Sequence, residues 1–145
     1  GGMYRLAPDV LRDRAHDLAS TLGLEAHLGH RVGRLSYGMK SRLALVASLL
    51  HDPAVIILDE PFFGLDPQTL RLMKQLLVER ARQGATIMLS THQLAVVEDL
   101  AHRIAVLSRG RLVALGTWDE LKQAHGGTRL EDVFFHLTGP SSEES

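Results

Sequence analysis

In the stretch "APDVLRDRAHDLASTLGL", Val10 or Leu11, Ala15, Leu18 and Leu22 fall on one face and charged residues fill the other. That spacing predicts an amphipathic helix stopped at Gly23. The pattern breaks in "LEAHLGHRVGRLS", which is short and polar. It resumes in "MKSRLALVASLLHD" as a second helix that ends before Pro53. In "AVIILDE" the period changes: a continuous apolar run of this kind predicts a strand buried on both faces of a parallel sheet. After "PFFGLDP", Leu70, Met73, Leu76, Leu77 and Arg80 return to helical spacing as far as Gly84, and "ATIMLS" predicts a second buried strand. Next, "THQLAVVEDLAH" reads as a helix and "RIAVLSRGRLVALG" as two strands joined by a tight turn at Arg109 and Gly110. Thr117 with Glu120, and Thr128 with Glu131, have the spacing of capping boxes, so two short C-terminal helices are expected. Trp118 is expected to pack at the first of these caps, and the faces carrying Leu18, Leu70 and Leu94 to be core. The ending "GPSSEES" has the composition of a disordered tail, and no internal repeat occurs. Helices, then strand–helix–strand–helix, then a hairpin define an α/β chain.

Composition narrows the function classes. With 45% hydrophobic residues over 145 positions, the chain can bury one ordinary core or contribute to a larger one. Sixteen basic and seventeen acidic residues are interspersed without a long run, which argues against a nucleic-acid or anionic-membrane footprint. The absence of cysteine excludes disulfides and thiol chemistry. The longest apolar runs, "LALVASLL" and "AVIIL", are far shorter than a bilayer crossing requires, so a soluble chain is expected. The opening "GGMYRL" lacks the basic and apolar regions of a signal peptide, and its glycines fit either an added or a native start.

Chemistry concentrates at two places. "GRLSYGMKS" nearly spells a P-loop, but Met39 separates Gly38 from Lys40, and the preceding residues are not the apolar strand from which a P-loop springs. The extra residue turns Lys40 away from the phosphate cradle, and no other lysine follows a glycine. Ser36 and Gly38 nevertheless stand at a helix start, where free N–H groups favour an anion; the alternative is an ordinary helix capped by Ser36. The other place is the end of "AVIILDE", where Asp59 and Glu60 would lie at the carboxyl edge of a sheet, pointing in different directions. The first suits Mg²⁺ ligation and the second the activation of a water; an acidic loop after a strand is the alternative. His27 and His30 are three residues apart without an evident third metal ligand, and are expected to be solvated.

"LSYGMKSRLALVASLLHDPAVIILDEPFFGLDP" followed by "STHQ" resembles the second half of an ABC-type ATPase, the nucleotide-binding subunit of ABC transporters. The resemblance implies an incomplete P-loop-NTPase core with parallel strands, a helical subdomain segment, and a C-terminal β-hairpin plus helices. By it, Leu35 to Met39 match the signature motif, usually LSGGQ, so that Ser36, Tyr37, Gly38 and Met39 would cap the γ-phosphate of ATP held by a partner subunit. Val55 to Asp59 match the Walker B strand, Glu60 the catalytic base, Gly64-Leu65-Asp66 the D-loop, and His92 the switch histidine that senses the γ-phosphate at the same sheet edge as Glu60. Tyr37 and Met39 depart from the signature's middle glycine and glutamine, and Phe62 and Phe63 from the small and hydroxylic residues that commonly precede the D-loop. The P-loop, A-loop aromatic and Q-loop glutamine would lie before Gly1, so the chain looks like a truncation.

The resemblance further implies ATP and Mg²⁺ as cofactors and a homodimer or heterodimer of ATP-binding subunits. Transmembrane permease subunits would be the other partners, with no nucleic acid, at the cytoplasmic inner face of the cell membrane. Residues 1–52 would be the helical subdomain segment, 53–125 the C-terminal part of the ATPase core, and 126–145 a C-terminal helix and tail. "LSYGMKSRLALVASLLHDP" and "LEDVFFHLTG" are similar to subunits of bacterial drug, lipid and polysaccharide exporters. A soluble ABC-type ATPase of DNA repair or translation, and a non-catalytic interaction module, are the alternatives. The fragment alone is expected to be inactive.

Overall fold

The computed structural model describes residues 7–139; residues 1–6 and, apart from Gly139, the expected tail "GPSSEES" lie outside the described residues. The elements are α1 (Pro8–Thr21), 3₁₀ turns at Glu25–His27 and Val32–Arg34, α2 (Tyr37–Leu49), β1 (Val55–Asp59), α3 (Pro67–Arg82) and β2 (Thr86–Ser90). There follow α4 (Leu94–Leu100), β3 (Ile104–Ser108), β4 (Arg111–Gly116), α5 (Trp118–His125) and α6 (Leu130–Thr138). They group into two compact units, Gly1–Ser90 and Thr91–Ser145.

In the first unit α1 opens with Pro8, whose missing N–H costs nothing at a helix start, and buries Leu18 and Ala19. Leu22 and Leu24 beyond it are buried too, and Gly23 between them has φ +65°, as a helix stop requires. α1 packs on α2, and Arg42 ties the two together: its Nη1 donates to the Leu22 carbonyl at 2.9 Å and its Nε to the Gly38 carbonyl at 3.3 Å. One side chain thus satisfies an orphan carbonyl just past the end of α1 and holds the first turn of α2 against it. Asp52, at φ 54°, receives Arg80 at 2.7 Å and Arg14 at 3.9 Å. With Asp52 itself exposed, each pair contributes at most about 1 kcal/mol.

β1 and β2 form a parallel pair in register from Val55↔Thr86 to Asp59↔Ser90, with α3 as the crossover. The buried stripe of α3 is Thr69, Met73 and Leu77, one turn apart, rather than the whole apolar spacing of the sequence. The strands correct one expectation. Ile56 is buried, but Val55, Ile57 and Met88 are 59%, 73% and 67% exposed. Alternation puts Val55 and Ile57 on one face, Met88 lies beside Ile57 in register, and only the Ile56 side is covered. The apolar run reports a strand suited to burial on both faces; among the described residues one face is covered.

The second unit is built on the β3–β4 hairpin, whose turn residues Arg109 and Gly110 both have positive φ, the primed geometry that matches strand twist. A register shift falls between Val106 and Leu107. Ile104 and Val106 pack with Leu121, Leu130 and Val133, and Leu94, Trp118 and Phe134 close around them. The capping box of α5 forms as expected: Thr117 Oγ1 accepts from the Glu120 N–H at 3.2 Å and Glu120 Oε2 from the Thr117 N–H at 2.8 Å. The second expected box does not. Gly127, at φ +97°, precedes a helix that starts at Leu130, so Asp132 and not Glu131 occupies the third helical position. The Asp132 carboxylate accepts from the Thr128 and Arg129 N–H groups, both at 3.1 Å, and these bonds hold its pKa below the ordinary value. Glu131 pairs instead with the Arg129 guanidinium at 3.3 Å.

Two expectations follow. Phe62, 2% exposed, anchors the core of the first unit, and Phe62→Ala should cost about 3–5 kcal/mol in denaturant unfolding. Asp66 caps α3 by accepting from the Thr69 hydroxyl and N–H, which lower its pKa. A depressed carboxyl stabilises the fold above its unfolded pKa of about 3.9 and loses that contribution as pH falls through the lower folded value. Acid titration followed by circular dichroism should show this loss beginning below about pH 4, and Asp66→Asn should remove the Asp66 part of it.

Candidate functional site

The parallel pairing places the first carboxylate. Asp59 is the last residue of β1, opposite Ser90 at the end of β2, and the Ser90 hydroxyl donates to Asp59 Oδ1. The Glu60 N–H donates to the Ser90 carbonyl at 3.0 Å, so the ladder runs one bond past the strand. Glu60 itself has φ 45°, a left-handed conformation for a residue that is neither glycine nor asparagine. Such a conformation costs on the order of 1–3 kcal/mol and is held only where neighbouring bonds determine it. Here the bond to Ser90 on one side and the Phe63 N–H donating to the Glu60 carbonyl at 3.2 Å on the other do so. The turn sends Asp59 and Glu60 in different directions: Asp59 is exposed and Glu60 half-buried. The next residues divide similarly, Phe62 into the core and Phe63 outward at 52% exposure.

Beside this loop stands the start of α2. Ser36 is its cap, accepting the Met39 N–H on its Oγ at 3.3 Å, so the bland expectation for Ser36 holds as local structure. A Cβ added to Gly38 would lie 3.6 Å from the Gly64 carbonyl oxygen and 3.7 Å from a Leu65 methyl. The Ser36–Met39 turn and the Gly64–Asp66 segment are therefore neighbours. The two oxygens of Asp66 are occupied in the α3 cap, with the Thr69 hydroxyl at 2.6 Å. The structure thus brings Ser36, Tyr37, Gly38 and Met39 together with Gly64, Leu65 and Asp66, and Asp59 and Glu60 together with Ser90.

His92 belongs to the second unit, two residues after β2. It is exposed and lines a cavity of about 220 Å³ with Leu94, Glu98, Arg129 and Glu131 among its walls. His27 and His30 bring their Nδ1 atoms to 3.3 Å. Among the described residues no group of three histidine or acidic side chains is arranged to hold a metal. The oxygen set of Asp59 and the Ser90 hydroxyl fits a hard cation such as Mg²⁺, which takes one or two carboxylates and completes its shell with water and phosphate. No described helix is long and apolar enough to cross a membrane.

Sequence reasoning missed Ser90, Arg42 and the core role of Phe62. The signal for Ser90 was its place at the end of the second apolar run, usable only once the register is known. Arg42, four residues after Gly38, has the spacing of a side chain that returns to the preceding turn of its own helix.

Residues 13–98, more than half of the chain, match the family model described as "AAA domain, putative AbiEii toxin, Type IV TA system". Two relatives are a fluoroquinolones export ATP-binding protein of Mycobacterium tuberculosis, 40% identical over 78% of this chain, and a Nod factor export ATP-binding protein of Burkholderia pseudomallei, 41% identical over 77%. The aligned regions are 38% and 36% of those proteins, so the chain spans little more than a third of their length. Among solved structures, an ATP-binding subunit of an ABC transporter superposes with a TM-score of 0.85 and 33% identity, over 92% of this chain and 57% of that one. A dimeric ATP-binding cassette in a post-hydrolysis state with ADP and Pi gives 0.70 and 27%, over 77% and 49%. The fold is thus that of an ABC-type P-loop-NTPase core, with its parallel strands, helices and antiparallel hairpin. On this sequence, structure and kinship, the chain belongs to the AAA-domain family whose model it matches, and its homologues are the ATP-binding proteins of ABC transporters.

Proposed function

We propose that this chain is the signature-bearing part of an ATP-hydrolysing subunit of an ABC exporter. The observation that carries the reading is the pair of adjacent carboxylates at the carboxyl end of β1, the second held in a left-handed backbone conformation. Two acids in different environments suit two tasks. Asp59, with the Ser90 hydroxyl beside it, would hold Mg²⁺, which when bound neutralises charge on the nucleotide phosphates. Glu60 orients and deprotonates the attacking water. Ser36 and Gly38, at the start of a thirteen-residue helix, present N–H groups to the γ-phosphate of ATP on a second subunit. Tyr37 and Met39 flank that contact, and Asp66 fixes the neighbouring loop by capping α3. His92 senses the γ-phosphate.

The export direction rests on the kinship with export ATP-binding proteins. Membrane permease subunits would read the transported compound and hold this protein at the inner face of the membrane. Dimerisation is supported by the dimeric cassette among the structural neighbours. The helical subdomain segment would comprise residues 1–52, the core part 53–125 and the C-terminal helix and tail 126–145.

Within these 145 residues no lysine follows a glycine, so the P-loop cradle is not among them. Calorimetry with Mg-ATP on this chain should show weak binding and an ATPase assay negligible turnover; micromolar affinity would contradict the division of roles. In the full-length subunit, Glu60→Gln should leave nucleotide and Mg²⁺ binding intact while hydrolysis falls by roughly 10²–10⁴, as for loss of a general base. Asp59→Asn should weaken the Mg²⁺ dependence. Ser36→Arg should block the ATP-dependent dimer, read by gel filtration, without changing ATP affinity of the separate subunit. Parent-like hydrolysis in Glu60→Gln, or a persisting ATP-bound dimer in Ser36→Arg, would overturn the assignments.

A further inference from the structure

Two large rings stand in the open between the start of α2 and the loop after β1. Tyr37 is 64% exposed and Phe63 52%, yet their centroids lie 6.0 Å apart at an interplanar angle of 88°. That edge-to-face arrangement sets the positive rim of one ring against the negative face of the other. The Tyr37 ring also covers Gly64: a Cβ built there would lie 3.4 Å from Tyr37 Cδ1 and 3.6 Å from Cε1. Gly64 has φ +68°, a conformation that glycine adopts without strain, so its backbone can lie directly under the tyrosine. On the other side of Tyr37, Gly38 lies against the Gly64 carbonyl.

Each ring sits on a segment fixed at its far end. Tyr37 is the first residue of α2, whose opening turn Arg42 ties to the Leu22 carbonyl. Phe63 follows Glu60 by one turn, and its N–H donates to the Glu60 carbonyl. Between these anchored ends the two segments meet through the aromatic pair, the Gly38–Gly64 approach and the Gly38–Leu65 approach.

We propose that Tyr37 and Phe63 act as one positioning clasp. It couples the turn that meets the second subunit's phosphate to the loop that carries the hydrolytic base, so that the two are set together. This rests on the roles proposed above for Ser36 and Glu60. Tyr37, flanking the phosphate contact, and Phe63 act through Gly38 on one side and through the Glu60–Phe63 turn on the other. The clasp therefore affects the rate of hydrolysis once ATP is bound, and leaves ATP capture, which depends on the P-loop, alone.

The test is a double-mutant cycle in the full-length subunit: Tyr37→Ala, Phe63→Ala, both together, and Phe63→Tyr, with Glu60→Gln in the same series. Each single alanine variant should lower kcat about three- to tenfold, the scale of an aromatic pair, with KM for ATP within about twofold. The double variant should be no slower than the slower single one, because either change opens the clasp. Phe63→Tyr keeps the ring and should recover most of the rate. Losses that multiply in the double variant, a change in KM with kcat unaltered, or failure of Phe63→Tyr to recover the rate would each overturn the clasp. Should Tyr37→Ala fail to fold, the Phe63→Ala and Phe63→Tyr pair still decides: a parent-like kcat in Phe63→Ala rejects the proposal. If Glu60→Gln abolishes hydrolysis while the cycle is additive, the clasp alone fails. If Glu60→Gln hydrolyses like the parent, the underlying reading fails instead.

Discussion

The parallel pairing of β1 with β2 is the constraint on which the site depends. Five residues in register carry Asp59 to Ser90, and one further bond, from the Glu60 N–H to the Ser90 carbonyl, ends the ladder. That last bond fixes the Glu60 backbone where its torsion is unfavourable, and so determines where the chain can go next. A shift of one residue would exchange the sheet faces of Ile56 and Ile57 and separate the Asp59 carboxylate from its hydroxyl partner. Core packing and site geometry are thus set by the same register.

The loop from Glu60 to Asp66 converts that fixed end into a surface. Phe62 turns inward and fills the core, while Phe63 turns outward; Asp66 then starts α3 by taking both the hydroxyl and the N–H of Thr69. The hydrogen bonds of Glu60, Phe63 and Asp66 described above serve backbone placement, which suits the role proposed for this loop. Preorganised dipoles and carboxylates act without reorganising during the reaction, and the anchored ends of this loop provide that stiffness.

Much of this was legible in the residues. The apolar runs located β1 and β2, the spacing of Thr117 and Glu120 located the α5 cap, and the order of motifs from Leu35 to His92 identified the family. What was not legible depended on pairing or on torsion. Ser90 gains meaning only opposite Asp59; Glu60 carries no sequence mark of its positive φ; and α6 starts one residue later than the spacing of Thr128 and Glu131 implies, so that Asp132 takes the capping role. The open face of Val55, Ile57 and Met88 escaped for another reason: hydrophobicity tells what a strand can bury, and coverage depends on what else is present.

The two sheets also differ in how their strands must find each other. β3 and β4 are joined by a turn at Arg109 and Gly110, so their pairing closes a very short loop and can nucleate locally. Thr86 must reach Val55 across the whole of α3, and the closure entropy is spent before any ladder bond forms. The second unit can thus organise from contacts near in sequence, whereas the Asp59–Ser90 edge is assembled by a non-local search. During synthesis Asp59 leaves the ribosome well before the strand that positions it, and until Ser90 arrives the carboxylates have no defined geometry.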